Sequence, residues 1–97
     1  MTTREKLPED ALTTFLSSSP GWERREGALF RSYKFPDYSA ALAFVVRVGL
    51  AAEKRDHHPD MLLGWGRVEV TWTTHDAGGI TRLDTEMAAQ TDRLYGG

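Results

Sequence analysis

"HHPDMLLGWGRVEVTWTTH", residues 57–75, carries the pattern that decides the fold. Val68, Val70 and Trp72 alternate with Glu69, Thr71 and Thr73, the period of two that belongs to a strand with one buried and one solvated face. Pro59, Gly64 and Gly66 bracket a shorter apolar run from Met61 to Leu63, which predicts a partner strand. Pairing 58–63 antiparallel with 68–74 sets the start of the first strand against the end of the second. Such a hairpin, wet on one face only, needs a layer of helices on the other.

The flanking segments supply that layer. Upstream, Pro36 closes a strand, Asp37 or Ser39 can cap a helix, and a long apolar helix follows over about 38–53. Leu42, Phe44, Val45, Val46, Val48 and Leu50 occupy nearly its whole circumference, with Arg47 the chief interruption. A helix lying on a sheet needs only one apolar stripe. The surplus predicts burial against another subunit, as a homodimer or homotetramer. Further upstream, "WERREGALFRSYKF" (22–35) reads as a second hairpin around Glu26-Gly27, whose second strand carries Leu29, Phe30, Tyr33 and Phe35. "LPEDALTTFL" (7–16) predicts a short helix with Pro8 at its first position, Glu9 and Asp10 in its first turn, and Leu12, Phe15 and Leu16 on one face. Downstream, "DAGG" makes a turn and Thr81 opens a last helix to about Tyr95, with Thr81 and Asp84 at capping-box spacing. The element order is α-β-β-α-β-β-α. It predicts an α+β fold, an antiparallel four-stranded sheet with helices packed on one face, a two-layer sandwich forming one domain over 1–97.

Composition narrows the function. Ninety-seven residues, 40% hydrophobic and 27% charged, suit one globular domain with one core. The net charge of −2 and pI near 5.9 offer no basic stripe for nucleic acid. No cysteine is present, which excludes disulfides and thiolate metal sites. The opening "MTTREKLPED" has no apolar signal core, and "AALAFVV" is too short to span a bilayer. The expectation is a cytoplasmic protein with no membrane partner and no direct nucleic-acid partner.

All three histidines, His57, His58 and His75, fall within residues 57–75. Pro59 drives His58 out of helical geometry, so the pair lies in a helix-to-strand connection. His75, at the end of the neighbouring strand, comes beside it in the expected register. Three readings compete. The imidazoles can be solvated or satisfied locally. They can bind a metal with Asp60 or Asp76, although no His-x-x-x-His or His-x-His spacing is present. Or they can act as acid and base, since imidazole titrates near ~6.5. No serine or cysteine has an evident nucleophile setting, so proton transfer or elimination fits better than covalent catalysis. Glu53 is either a solvated carboxylate or one that orients a histidine or meets a ligand; capping alone accounts for Asp84.

Glu53, His57-His58-Pro59, Trp65, His75 and Asp84, at these intervals, resemble the signature of the pterin-4a-carbinolamine dehydratases. "THDAGGIT" (74–81) and "PGW" (20–22) are similar to the family as well. The resemblance implies removal of water from 4a-hydroxytetrahydropterin to give the quinonoid dihydropterin, without metal or cofactor, in recycling of the pterin that aromatic amino acid hydroxylases use. It implies His57 and His75 as the proton-transfer groups, with His58 positioning the pterin. It also implies Glu53 on the pterin or on an imidazole, Pro59 shaping the loop, Trp65 as core or ligand wall, and Asp84 beneath the site. Some relatives are instead binding proteins, a transcription-factor dimerisation cofactor or a Rubisco assembly factor. Retention of all three histidines favours the enzyme. The terminal Gly96-Gly97 resembles a sulfur-carrier tail, but the helical pattern before it leaves no extended tail.

Overall fold

The computed structural model describes residues 4–96. Its elements are α1 (Glu9–Ser18), β1 (Glu23–Arg25), β2 (Ala28–Lys34), α2 (Tyr38–Arg55), β3 (Asp60–Gly64), β4 (Arg67–Trp72), a 3-10 turn (His75–Ala77) and α3 (Arg82–Gly96). The strands form one antiparallel sheet in the order β1-β2-β4-β3. This is the α+β order that the alternating patterns predict.

Alternation decides which face is covered. Leu29, Arg31 and Tyr33 of β2 lie opposite Trp72, Val70 and Val68 of β4, and Met61 and Leu63 of β3 join the same row. Onto these side chains pack Ala41, Phe44, Val48 and Ala52 of α2 and Leu83, Met87 and Ala88 of α3. The opposite face carries Ser32, Lys34, Glu69, Thr71 and Asp60, which need water, not a second layer. Phe30 also lies on that open face, with the Arg25 guanidinium 3.6 Å over its ring. Strand parity puts it outside the core.

Local chemistry accounts for the helix ends. Asp37 caps α2 by accepting the Ala40 N–H at 2.8 Å. Pro8 precedes α1 in extended conformation (ψ 148°), so it sits just outside the first turn and not within it. The helix around Gly96 leaves no extended tail up to that residue, and Gly97 lies outside the described residues. Gly21 of the "PGW" stretch has a packing role: a Cβ there would collide with the Arg31 guanidinium, which pairs with Asp92 at 2.9 Å.

The face of α2 turned away from the sheet is apolar. Tyr38, Leu42, Val46 and Leu50 recur every fourth residue and are 43–63% exposed. In the single chain the surplus of this helix is therefore uncovered. No described helix is long and apolar enough to cross a membrane.

Candidate active site

The site begins where α2 stops. Asp56 turns left-handed, φ 50° and ψ 44°, and closes the helix: its N–H reaches the Glu53 carbonyl and the His57 N–H reaches the Ala52 carbonyl, both at 3.2 Å. This Schellman closure usually takes glycine at the left-handed position, and aspartate is among the residues that tolerate it. The chain halts three residues before Pro59, which completes the exit from helix without starting it. The Arg4 guanidinium then donates to the Asp56 carbonyl at 2.9 Å and the Arg55 carbonyl at 3.3 Å, satisfying the helix end from across the chain.

The turn drives His57 inward. Its ring stacks on Trp72 with centroids 5.5 Å apart and planes at 24°, and the residue is only 7% exposed. Nε2 lies 2.5 Å from Oδ1 of Asp84, which is 0% exposed. An ionised carboxylate only accepts, so Nε2 carries the hydrogen and the proton-accepting atom of neutral His57 is Nδ1. Every buried side-chain nitrogen and oxygen among the described residues has a partner. Among the described residues no hydrogen bond engages Nδ1, and His57 is one of the residues that line the open cleft.

Asp84 does more than cap α3. Its Oδ2 accepts the Thr81 backbone N–H at 2.8 Å, the Thr74 hydroxyl at 2.7 Å and the Thr81 hydroxyl at 3.1 Å. The capping bond exists, but it is one of several. The expectation that capping alone accounts for Asp84 is corrected: one oxygen anchors the carboxylate while the other holds an imidazole. Asp84 is completely buried and meets the cleft residues through His57 and Thr74.

His58 repeats the arrangement in the open. Its Nε2 is 2.6 Å from Oε1 of Glu53, and both side chains are exposed. Glu53 thus meets an imidazole while remaining exposed to solvent. Pro59, half-buried, stands between His58 and the first β3–β4 pair, Asp60 with Thr71. Continued by two and three residues, that register would set His58 across from Thr73 and His57 across from Thr74.

His75 lies beyond the strand and not at its end. β4 stops at Trp72, and His75 opens the 3-10 turn, where it is exposed. Thr74 closes the turn with reciprocal backbone bonds to Gly79 at 3.0 and 3.2 Å, and Gly78 takes the positive φ of 74° that the reversal requires. The expected juxtaposition nevertheless results. His57, His58 and His75 border one open cleft of about 240 Å³, with Arg4, Thr73 and Asp76 on its rim.

Trp65 departs from both expectations for it. It sits in the β3–β4 turn, at the far end of the hairpin from the histidines, and is 70% exposed. Within one chain it is neither core nor cleft wall. Arg4, Asp56 and Thr74 were not anticipated. Arg4 and Asp56 left no pattern to find, whereas Thr74 falls on the buried parity after Trp72, where a hydroxyl requires a partner. No group of three or more His, Asp or Glu side chains among the described residues is arranged to hold a metal ion.

A small antiparallel α+β domain with carboxylate-held imidazoles at one end of its sheet defines a class, and the comparisons name it. Residues 5–94 match the family described as Pterin 4 alpha carbinolamine dehydratase. A Mesorhizobium japonicum protein provisionally named pterin-4-alpha-carbinolamine dehydratase is 47% identical, with 98% of this chain and 99% of the relative covered. A Mycolicibacterium smegmatis protein with the same provisional name is 44% identical over 91% of this chain and 94% of its own. The chain belongs to the pterin-4a-carbinolamine dehydratase family. Among solved structures, a transcriptional coactivator/pterin dehydratase from Brucella melitensis superposes with a TM-score of 0.90 at 37% identity, covering 95% of this chain and all of that one. A pterin dehydratase-like RuBisCO assembly factor of the alpha-carboxysome shares the fold, with a TM-score of 0.64, 23% identity, and 78% and 88% of the two chains covered.

Proposed function

We propose that the protein dehydrates 4a-hydroxytetrahydropterin to quinonoid dihydropterin by imidazole acid–base catalysis. The observation that carries this reading is the meeting of three imidazoles on one cleft, two of them held by carboxylates. The hydroxyl on C4a leaves as water only if it gains a proton, and a ring nitrogen must give one up. His57, presenting Nδ1, suits the acceptor, and exposed His75 across the cleft suits the donor. Imidazole can act as either acid or base, so one residue type serves both ends of the transfer. His58, fixed by Glu53, is placed to bind the pterin ring. Asp84 serves by orienting His57, Pro59 by shaping the loop, and Trp65 takes no part within one chain. The balance requires neither metal nor redox cofactor: one C–O bond breaks, and the proton lost from nitrogen matches the one gained by oxygen.

The test is to generate the carbinolamine chemically and follow its breakdown spectroscopically with and without the protein. Breakdown at the uncatalysed rate at micromolar protein would refute the assignment. The bare stripe of α2 favours self-association as part of the same reading. Burying each leucine or valine there is worth roughly 1.5–3 kcal/mol, and a sedimentation mass of two or four chains is expected. A non-catalytic binding role is the second reading; the relative from the alpha-carboxysome is a RuBisCO assembly factor. The same stripe is what favours it, because it offers an apolar surface to any partner, and an inactive protein retained by such a partner would support it.

A further inference from the structure

Asp84 is held asymmetrically. The donors from Thr74 and Thr81 all converge on Oδ2, leaving Oδ1 to His57 alone. One of these donors lies immediately before α3: the Thr81 N–H is the ordinary cap of the helix that carries Asp84. The Thr74 hydroxyl is different, because it comes from the sheet side. At 2.7 Å it is the shortest of the Oδ2 bonds, and Thr74 is 5% exposed. Its backbone has a separate task. The Thr74 carbonyl accepts from Gly79 N–H and Ala77 N–H, and its own N–H donates to the Gly79 carbonyl, which ties the base of the turn carrying His75.

We propose that Thr74 is a positioning residue coupling the two proton-transfer groups of the cleft. Its side chain fixes the carboxylate that sets the tautomer of His57, while its backbone fixes the loop that presents His75. The inference rests on the dehydration reading for its kinetic consequence, but not for its structural one.

The Thr81 hydroxyl is the natural control. It lies 3.0 Å from the Thr74 hydroxyl and 3.1 Å from Oδ2, and its single hydrogen can serve either oxygen. Substitution at 81 leaves the backbone cap in place, so a loss specific to position 74 separates coupling from general damage to the buried cluster.

Thr74→Val keeps the branched shape and removes the donor; Thr74→Ser keeps the donor and removes a methyl. Thr74→Val should lower kcat by roughly 10- to 100-fold, the scale for losing an outer hydrogen bond that orients a working ligand or imidazole. KM should stay within about twofold, since no group that touches substrate is removed. Thr74→Ser should restore most of kcat, and Thr81→Val should cost less than Thr74→Val. Long-range proton–nitrogen spectra of the free protein give the second readout. Wild-type His57 should show a protonated Nε2 and bare Nδ1, Thr74→Val a mixture of tautomers, and Thr74→Ser the wild-type pattern. A Thr74→Val protein with wild-type kcat, or with the wild-type tautomer, overturns the coupling, as does failure of serine to rescue. If the wild-type protein itself does not turn over the carbinolamine, the dehydration reading fails, while the tautomer comparison still decides the role of Thr74. Should Thr74→Val not fold, Thr74→Ala supplies the same comparison against Thr74→Ser.

Discussion

Two aspartates on α3 each gather hydrogen bonds from across the chain, and they do different work. Asp84 is fully buried, and its donors are a backbone N–H, two threonine hydroxyls and an imidazole. Asp92 is partly exposed and accepts from the Trp22 indole at 3.0 Å, the Arg31 guanidinium at 2.9 Å and the Tyr33 phenol at 2.5 Å. Every donor on Asp92 keeps its proton through the physiological range. Arginine and tryptophan do so by nature, and burial, reinforced by the bond to Asp92, pushes the Tyr33 phenol further up from its usual value. One donor on Asp84 is the imidazole of His57, a side-chain type that can serve as acid or base. A carboxylate hub built on donors that never titrate is a fastener. One that ends on an imidazole open to a cleft is a candidate for chemistry.

Breaking the first hub at its working end should have the largest effect. Replacing His57 or His75 by Ala should slow carbinolamine breakdown by about 10²–10⁴-fold, the scale of a positioned acid or base. The two will differ in stability. His75 is exposed and its loss should barely move the melting temperature, whereas His57→Ala leaves a buried Asp84 oxygen without its donor, at a cost of about 1–3 kcal/mol. The double variant should lose less than the product of the single effects, because groups serving one proton transfer are not additive. Two stable histidine variants with normal turnover would leave the cleft without its chemistry.

Asp84→Ala comes next and tests both functions of its hub together. Removing a buried carboxylate strands several donors at once, so a loss of roughly 3–5 kcal/mol is expected, well above the ~1 kcal/mol of a simple cap. The rate measured on the folded fraction should fall as well, because His57 loses the acceptor that sets its tautomer. Denaturant unfolding and single-turnover rates on the same sample separate the two losses. A variant destabilised by only about 1 kcal/mol with full activity would return Asp84 to the status of an ordinary cap.

The contrast also marks how much the sequence could say. Element order, the sandwich and the gathering of three histidines follow from parity and from turn residues, which act over a few positions; the strand order β1-β2-β4-β3 does not. The His75 turn and the end of α2 were legible only roughly. Asp56 adopts a left-handed conformation that glycine usually signals, and the turn after Trp72 is closed by backbone bonds between Thr74 and Gly79 that periodicity does not carry. Asp84 was legible as a cap because a cap spans three residues; its tie to His57 spans 27. Trp65 carried a signature position without a local reason, and a single chain still supplies none. The Asp92 hub was invisible for the same cause as the Asp84–His57 tie, since its partners lie 59–70 residues away.

Breaking that second hub should touch stability alone. Asp92→Asn removes the charge that Arg31 pairs with and weakens three bonds, for about 1–3 kcal/mol, with turnover per folded molecule unchanged. Gly21→Ala is a gentler version. The added methyl displaces the flexible Arg31 guanidinium and not backbone, so it should cost only that partly exposed ion pair, about 1 kcal/mol or less. Any fall in the turnover of folded protein would mean that the two hubs communicate, and the division between them would have to be redrawn.

The smallest effect is expected at the other carboxylate–imidazole pair, Glu53 with His58. It matches the Asp84–His57 pair in separation, 2.6 against 2.5 Å, but lies in water. Exposed pairs contribute roughly 0–1 kcal/mol, and solvent competes for both partners, so Glu53→Gln should leave the melting temperature nearly unchanged. Glutamine keeps an oxygen that can accept the same hydrogen bond, and a free His58 can still rotate into the cleft. Turnover should therefore stay within about fivefold, with the change appearing mainly in KM if His58 binds the pterin ring. Distance being equal, burial would then be what separates a tuned imidazole from a tethered one. A loss in kcat as large as that of His57→Ala would show that Glu53 acts in the chemical step itself, and that exposure in the free protein is ended when substrate closes the cleft.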